Sequence, residues 1–144
     1  MSASVKMMKN HIYLAVLFAA GFCYAEEPIS LDKIYMNVVK TDACGVVNHE
    51  TIFHFSQNDH IVVAEYAGGK IQNGFLVGKI TMGNQLVFSY CQMQMDGKLD
   101  SGLSQCEISK NENGKLTLTE HFEWASRPGE FGTNVFQEID SSQR

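Results

Sequence analysis

From residue 33 to residue 139, short runs rich in β-branched and aromatic residues alternate with clusters of Asn, Asp and Gly. Within many of these runs, apolar and polar positions follow a two-residue period, which is typical of strands with one buried face. After residue 30, no window has the three- and four-residue apolar spacing of an amphipathic helix. The pattern therefore predicts eight strands, over residues 33–43, 51–56, 60–67, 74–81, 85–95, 101–110, 115–125 and 133–139.

The clusters between the runs have the chemistry of tight hairpin turns, because Asp-Gly and Asn-Gly pairs reach positive φ angles at low cost. Sequential strands should therefore pair as an antiparallel meander. Eight such strands leave two exposed sheet edges unless the sheet closes on itself. The sequence predicts an all-β fold, a single up-and-down antiparallel β-barrel of about eight strands, with an open or split sheet as the alternative. The expected turns are Asn58-Asp59, Gly68-Gly69, Gly83-Asn84, Asp96-Gly97, Asn113-Gly114 and Pro128-Gly129.

The N-terminal segment has the layout of a secretory signal. Lys6 and Lys9 precede an apolar run over residues 12–24, which is shorter than the roughly 20 residues that a helix needs to span a bilayer. A retained membrane anchor and a lipidated Cys23 are the alternatives. We predict a signal peptide over residues 1–25, a periplasmic or secreted protein, and no stable membrane insertion after cleavage. A flexible segment (26–32), the barrel domain (33–140) and a C-terminal tail (141–144) are predicted to follow.

Composition and charge narrow the classes of partner. The 144 residues suffice for one domain, and the formal net charge is −5. Removal of residues 1–25 takes away two of the eleven cationic side chains and none of the sixteen acidic ones, which leaves a net charge of −7. Such an acidic surface excludes nucleic acid as the expected partner. Cys44, Cys91 and Cys106 would remain, so we expect one disulfide and one free thiol, with the pairing left open.

Strand alternation also predicts which side chains face the interior. In the seventh strand, Glu120, Phe122 and Trp124 share a face with two leucines. If Asn113-Gly114 and Asp96-Gly97 form two-residue turns, alignment of the neighbouring strands places further residues on this face. The residues brought in by this alignment are Leu103, Gln105, Phe88, Tyr90 and Gln92, and Tyr66 of the third strand is also expected inside.

The candidate ligand-binding residues follow from this interior set. A carboxylate on an apolar face is unfavourable unless it is paired or liganded, so Glu120 is the first candidate. The predicted binding residues are Tyr66, Tyr90, Gln92, Gln105, Glu120, Phe122 and Trp124. A satisfied structural network around Glu120 is the alternative interpretation. The spacing of the histidines and methionines matches no metal signature, so no metal, cofactor or catalytic residue is predicted.

Three segments carry a resemblance to a known family: AEYAGGKIQNGFLVGKI (64–80), FSYCQMQMDGKLDSG (88–102) and LTLTEHFEW (116–124). In this order they resemble a family of small bacterial single-domain proteins with an avidin-like barrel, over about residues 34–139. Members of that family often carry the name N-acetylglutamate synthase, which implies acyl transfer. The nearest match to an acetyl-CoA motif is Gln94, Gly97 and Leu99, where leucine replaces a small residue. Avidins present several tryptophans to biotin, whereas this chain has Trp124 alone.

These observations leave three functional hypotheses. The first is an exported, non-enzymatic barrel that binds a small, mostly apolar ligand with one hydrogen-bonding end. The second is a protein–protein interaction module, such as an inhibitor of a secreted hydrolase, that uses the loop 126–132 with Arg127, Glu130 and an exposed Phe131. The third is an enzyme, either the acyltransferase that the resemblance implies or an acid–base catalyst built on Glu120 with Tyr66 or Tyr90.

Overall fold

A computed structural model of the chain describes residues 28–143. The predicted signal peptide lies outside the described residues. Eight antiparallel strands form a closed barrel in which each strand pairs with its neighbours in sequence and β1 pairs with β8, so the predicted fold is confirmed. The strands are β1 (Tyr35–Thr41), β2 (Ile52–Asn58), β3 (Ile61–Gly68), β4 (Ile71–Thr81), β5 (Gln85–Gln94), β6 (Leu99–Lys110), β7 (Leu116–Trp124) and β8 (Phe131–Glu138), followed by a 3-10 turn at Ser141–Gln143.

The two ends of the barrel differ. At one end, which we call the loop end, lie the connections β1–β2 (42–51), β3–β4 (69–70), β5–β6 (95–98) and β7–β8 (125–130). The opposite end, the base, is covered by the residues before β1. Leu31, from the predicted N-terminal segment, is fully buried in the core there. Its amide N–H donates to the side-chain oxygen of Gln57 at 2.8 Å.

The register of β6 corrects the predicted interior face. Leu103 and Gln105 face outward, and Leu103 is 60% exposed. Ser104 and Cys106 occupy the interior face instead, where they pair with Phe122 and Glu120 of β7.

The cause of this error is the length of the two hairpin loops that flank β6. Gln94 donates its N–H to the carbonyl of Lys98, and Asn111 donates to Lys115, both at 2.9 Å, so each loop has three residues rather than two. Such loops end in a residue with positive φ, here a glycine in both cases. A one-residue change of register turns every side chain of a strand to the other face. Two successive changes cancel, and the β5 residues therefore remain on the predicted side.

Inward-facing glycines make room for large rings. Gly74 lies opposite Tyr66, and a Cβ at Gly74 would overlap the tyrosine ring. Gly102 lies opposite Tyr90 in the same way, and its Cβ would overlap the tyrosine hydroxyl. Each aromatic ring therefore covers a neighbouring backbone, a device that fills curved sheets.

The cysteines do not form the expected disulfide within the described residues. Cys44, Cys91 and Cys106 are all free. Cys91 is exposed on the outer face of β5, whereas Cys106 is buried inside the barrel, so the sulfur atoms of this pair lie on opposite sides of the wall. None of the residues 28–143 forms a helix that is long and apolar enough to cross a bilayer.

The glycine–tyrosine packing yields a stability prediction. Gly74→Ala forces a methyl group against the ring of Tyr66 and should lower the free energy of unfolding by about 1–3 kcal/mol. In a Tyr66→Leu background the same substitution should have a much smaller effect. Urea denaturation of the four proteins of this double-mutant cycle measures the coupling. An equal effect in both backgrounds would contradict the packing.

Candidate functional site

A small cavity lies inside the barrel toward the loop end. Its volume is about 30 Å³, enough for about two water-sized groups. Polar side chains of Gln92, Glu120 and Asn134 reach it, and the segment 45–47 of the β1–β2 connection closes it. Seven aromatic side chains also line it: Phe53, Tyr66, Phe88, Tyr90, Phe122, Trp124 and Phe136.

Glu120 is the polar centre of this cavity. It lies in the middle of β7, and its inward position follows from the alternation of that strand. Its side chain is buried, and each carboxyl oxygen accepts one hydrogen bond, from Ser104 Oγ at 2.6 Å and from Asn134 Nδ2 at 2.7 Å. Burial raises the pKa of Glu120 above its usual 4.5, and these two hydrogen bonds partly oppose the shift.

A third residue fixes the direction of this network. Thr41 Oγ donates to the side-chain oxygen of Asn134 at 2.6 Å. The amide of Asn134 therefore has its nitrogen directed at Glu120, and both neighbours of the carboxyl group present donors. The residues lie on four strands, β1, β6, β7 and β8, so the network also joins the two strands that close the barrel.

Two further polar groups in the cavity lack a partner. Tyr66 donates its hydroxyl to Oε1 of Gln92 at 3.0 Å, which leaves the Gln92 amide nitrogen free. That nitrogen and the hydroxyl of Tyr90 are buried without a hydrogen-bond partner among the described residues. Burial and, second, Glu120 raise the pKa of both tyrosines, so their hydroxyls stay protonated at neutral pH. An unpaired buried donor is unfavourable, and both groups therefore favour a bound polar partner.

Trp124 connects the cavity to the loop end. Its indole N–H donates to the carbonyl of Cys44 at 3.0 Å, which anchors the β1–β2 connection. The guanidinium of Arg127 lies 3.7 Å from the centre of the Trp124 ring, in cation–π contact. Arg127 also forms ion pairs with the buried Asp100 at 3.3 Å and with Glu130 at 3.0 Å. Trp124 is thus held between the lining of the cavity and a charged cluster at the loop end.

We call residues 42–51 the lid, because their middle part covers the cavity. Val47 of the lid is buried, and Gly45 approaches Thr41 so closely that a Cβ would overlap the threonine hydroxyl. At its start, Asp42 donates its N–H to the carbonyl of Thr133 at 3.1 Å, and its carboxylate accepts from the Thr133 N–H at 2.8 Å. The lid has no strand or helix of its own, and hydrogen bonds such as those from Trp124 to Cys44 and from Asp42 to Thr133 connect it to the barrel.

The structure brings six of the seven predicted binding residues together around the cavity: Tyr66, Tyr90, Gln92, Glu120, Phe122 and Trp124. The seventh, Gln105, is on the outer surface for the reason of register given above. The roles of the six in binding stay predictions.

Sequence reasoning missed Ser104, Asn134 and Thr41. The signal that would have placed Ser104 inside the barrel is the turn before β7. If Gly114 is taken as the last residue of a three-residue loop rather than of a two-residue loop, the register of β6 turns Ser104 inward. Asn134 lies two residues before the inward Phe136, and strand alternation from that residue would have found it.

Other chemistry finds little support among the described residues. No three His, Cys, Asp or Glu side chains of residues 28–143 come together as a possible metal site. Gln94, Gly97 and Leu99, the nearest match to an acetyl-CoA motif, lie in and beside the β5–β6 hairpin turn, and Gln94 donates to Asp100 at 2.7 Å. Burial raises the pKa of the Cys106 thiol, and Glu120 raises it further, so this thiol is a poor nucleophile.

The raised pKa of Glu120 predicts a pH dependence of stability. Its contribution to folding is fully present below pH 4.5 and is lost as the pH rises through the higher pKa of the folded protein. As the pH rises above 4.5 towards the folded pKa, the wild type should therefore lose stability relative to Glu120→Gln. For each pH unit between 4.5 and the folded pKa, the free energy of unfolding of the wild type should fall by about 1.4 kcal/mol relative to that of Glu120→Gln.

Urea denaturation of both proteins across this pH range measures the difference. Gln can keep the geometry, because its oxygen accepts from Asn134 while its nitrogen donates to the Ser104 hydroxyl. Glu123→Gln is the matched control, since Glu123 is exposed on the outer face of the same strand. A pH-independent difference for Glu120→Gln would contradict the raised pKa.

Comparison with known proteins agrees with the barrel. Curated proteins and solved structures give no match. Residues 29–139 match a protein family described as avidin-like protein, a range that includes all eight strands and every residue of the cavity. An avidin-like barrel suggests small-molecule binding. The match covers well over half of the chain, and the chain therefore belongs to the avidin-like family.

Proposed function

We propose that this protein is an exported, non-enzymatic binder of a small molecule, and that the ligand enters the cavity beneath the lid. The observation that carries this proposal is the pair of unpartnered buried groups, the Tyr90 hydroxyl and the Gln92 amide nitrogen, beside Glu120 in one aromatic cavity. Buried polar groups in folded proteins are nearly always satisfied, so two such groups at one cavity favour a ligand or ordered water there.

The size of the cavity sets a limit on the bound group. About 30 Å³ accommodates a polar head group of a few atoms but not a whole metabolite. A larger ligand must displace Gly45, Val46 and Val47, which line the cavity from the lid. The lid is the part of the wall outside the strand ladder, so its displacement breaks the fewest backbone hydrogen bonds.

The lack of an activated nucleophile among the described residues of the barrel interior favours binding over nucleophilic catalysis. Tyr66 and Tyr90, which line the cavity, and the buried Cys106, which does not, all have raised pKa values and stay protonated, which makes them weak nucleophiles. Acyl transfer, which the name N-acetylglutamate synthase implies, is less well supported. No described helix begins after the 94–99 hairpin, so its amides are not arranged to hold a pyrophosphate.

Export rests on the sequence of residues 1–25, whose charged start and short apolar run are typical of a secretory signal. A periplasmic or secreted location follows as part of this proposal. The barrel itself suits such a location, because its closed ladder leaves no exposed sheet edge to pair with other chains.

Two leucine substitutions test the binding site. Leu76→Phe places a larger side chain at a position that lines the cavity and reduces its volume. Leu103→Phe makes the same change on the outer face. In a thermal-shift screen of small metabolites, we expect at least one compound to raise the unfolding midpoint of the wild type and of Leu103→Phe but not of Leu76→Phe. Equal responses of all three proteins, or no response of the wild type, would refute the proposal.

A second candidate function is protein binding by the outer face. Phe131 is 71% exposed and Leu103 is 60% exposed, and both pair with Glu123, which lies between them across β6, β7 and β8. Exposed aromatic side chains such as Phe131 are enriched at protein interfaces, and Leu103 adds apolar surface near it. An inhibitor of a secreted hydrolase would fit this arrangement.

Partner capture from periplasmic or culture fluid tests this candidate. Phe131→Ala should weaken capture by about tenfold or more, because exposed aromatic anchors carry much of the binding energy at interfaces. Val63→Ala, an exposed apolar truncation on β3, is the control and should leave capture unchanged. Undiminished capture by Phe131→Ala would remove this surface from consideration.

A further inference from the structure

The charge of Glu120 has no counterpart in the described protein. The ion pairs within residues 28–143 join Asp59 to His60, Lys115 to Asp140, and Arg127 to both Asp100 and Glu130. None of them includes Glu120. Its two hydrogen bonds come from a hydroxyl and an amide, which are neutral donors. The carboxyl group is therefore solvated by dipoles alone, and a buried carboxylate without a cation is strongly unfavourable.

The hydrogen-bond network nevertheless orients the Glu120 carboxyl group so that its oxygens can accept further hydrogen bonds. Thr41 fixes the Asn134 amide so that its nitrogen points at Glu120, and the Ser104 hydroxyl also donates. Each carboxylate oxygen can accept more than one hydrogen bond, so both retain capacity for a donor in the cavity. A donor that also carries positive charge would supply the missing countercharge and would favour the ionised form.

The surroundings of Glu120 suit a cation as well. The faces of aromatic rings attract positive charge, and seven aromatic side chains line the same cavity. The unpartnered hydroxyl of Tyr90 can accept an N–H through its oxygen. Arg127, the cation in contact with Trp124, is already paired with two carboxylates and does not line the cavity.

We propose that the ligand of this cavity carries a small primary ammonium group, which binds Glu120 and Tyr90. Next to the ammonium group, the ligand has an oxygen atom that accepts a hydrogen bond from the Gln92 amide nitrogen. This inference rests on the proposed binding function and names the chemical class of the ligand. The volume of about 30 Å³ fits such a head group, and Glu120, Tyr90 and Gln92 all line it.

Ethanolamine is the probe, because it combines an ammonium group with a hydroxyl oxygen two carbons away. Ethylene glycol replaces the ammonium group by a hydroxyl, and glycolate replaces it by a carboxylate. Thermal shift and calorimetric titration at neutral pH and constant ionic strength compare the three compounds. We expect ethanolamine to bind and to raise the unfolding midpoint, and the other two to have no effect beyond that of sodium chloride.

Two variants connect the binding to the named residues. Glu120→Gln keeps the shape of the side chain without its charge and should weaken ethanolamine binding at least about tenfold. Tyr90→Phe should weaken it by a smaller factor, because it removes one acceptor and leaves the ring. Circular dichroism of both variants confirms that the barrel is folded. Glu123→Gln, exposed on the same strand, should bind as the wild type does.

The possible outcomes separate this inference from the proposed function. Equal effects of ethanolamine and ethylene glycol, or unchanged binding by folded Glu120→Gln, would overturn the ammonium assignment. If neutral or anionic compounds bind in a manner that Leu76→Phe abolishes, while ethanolamine does not bind, the ammonium assignment fails and the binding function stands. If no compound binds at all, both fail and ordered water is the occupant of the cavity.

Discussion

A carboxyl group inside a closed barrel must be solvated by the protein, and this constraint organises the interior. Glu120 is buried in the middle of β7, and donors from β6 and β8 surround it. Thr41 of β1 extends the network to the strand that completes the barrel. Apolar residues of matching size would fill such a space with a smaller loss of solvation. An acid at this position is therefore unfavourable for stability, which supports the proposed use of its charge and its acceptor capacity.

The aromatic side chains and the glycines determine how much space remains around that acid. Tyr66 and Tyr90 lie over Gly74 and Gly102, where any side chain would collide with them. Large rings can therefore fold flat against the wall instead of crossing the interior. The result is a nearly filled barrel whose remaining volume sits beside its polar groups, at the loop end and beneath the lid. Position and polarity, rather than size, distinguish this cavity from a packing defect.

Much of the architecture could be predicted from the sequence, because strand alternation and turn residues are local signals. Eight strands and their antiparallel order follow from these signals alone. The face of β6 could not be obtained in this way, since an Asn-Gly or Asp-Gly pair serves both in two-residue turns and in the last positions of three-residue turns. Gln105 was placed in the interior for this reason. Glu120 and Trp124 are predicted correctly because the alternation of β7 alone places them, and Tyr90 because β5 is related to β7 by two such errors, which cancel.

The parts of the site that come from segments distant in sequence could not be predicted from strand alternation and turn residues. Leu31 packs in the core although it precedes the first strand, and the lid has no periodic pattern to identify it. The contact of Asn134 with Glu120 depends on the register of β8, which in turn depends on closure against β1. These features are set by tertiary packing, and single-sequence patterns carry no information about it.

Trp124 is the only tryptophan of the chain, and it touches the lid through Cys44, the cavity through its ring edge and the charged cluster through Arg127. Under excitation that is selective for tryptophan, the fluorescence of the protein therefore originates from a single indole at the junction of these three parts. A change in its emission reports on events at the mouth of the barrel without contributions from other tryptophans. The molecule thus contains its own optical probe, through which a displacement of the lid, if the proposed ligand causes one, would be observable without a label.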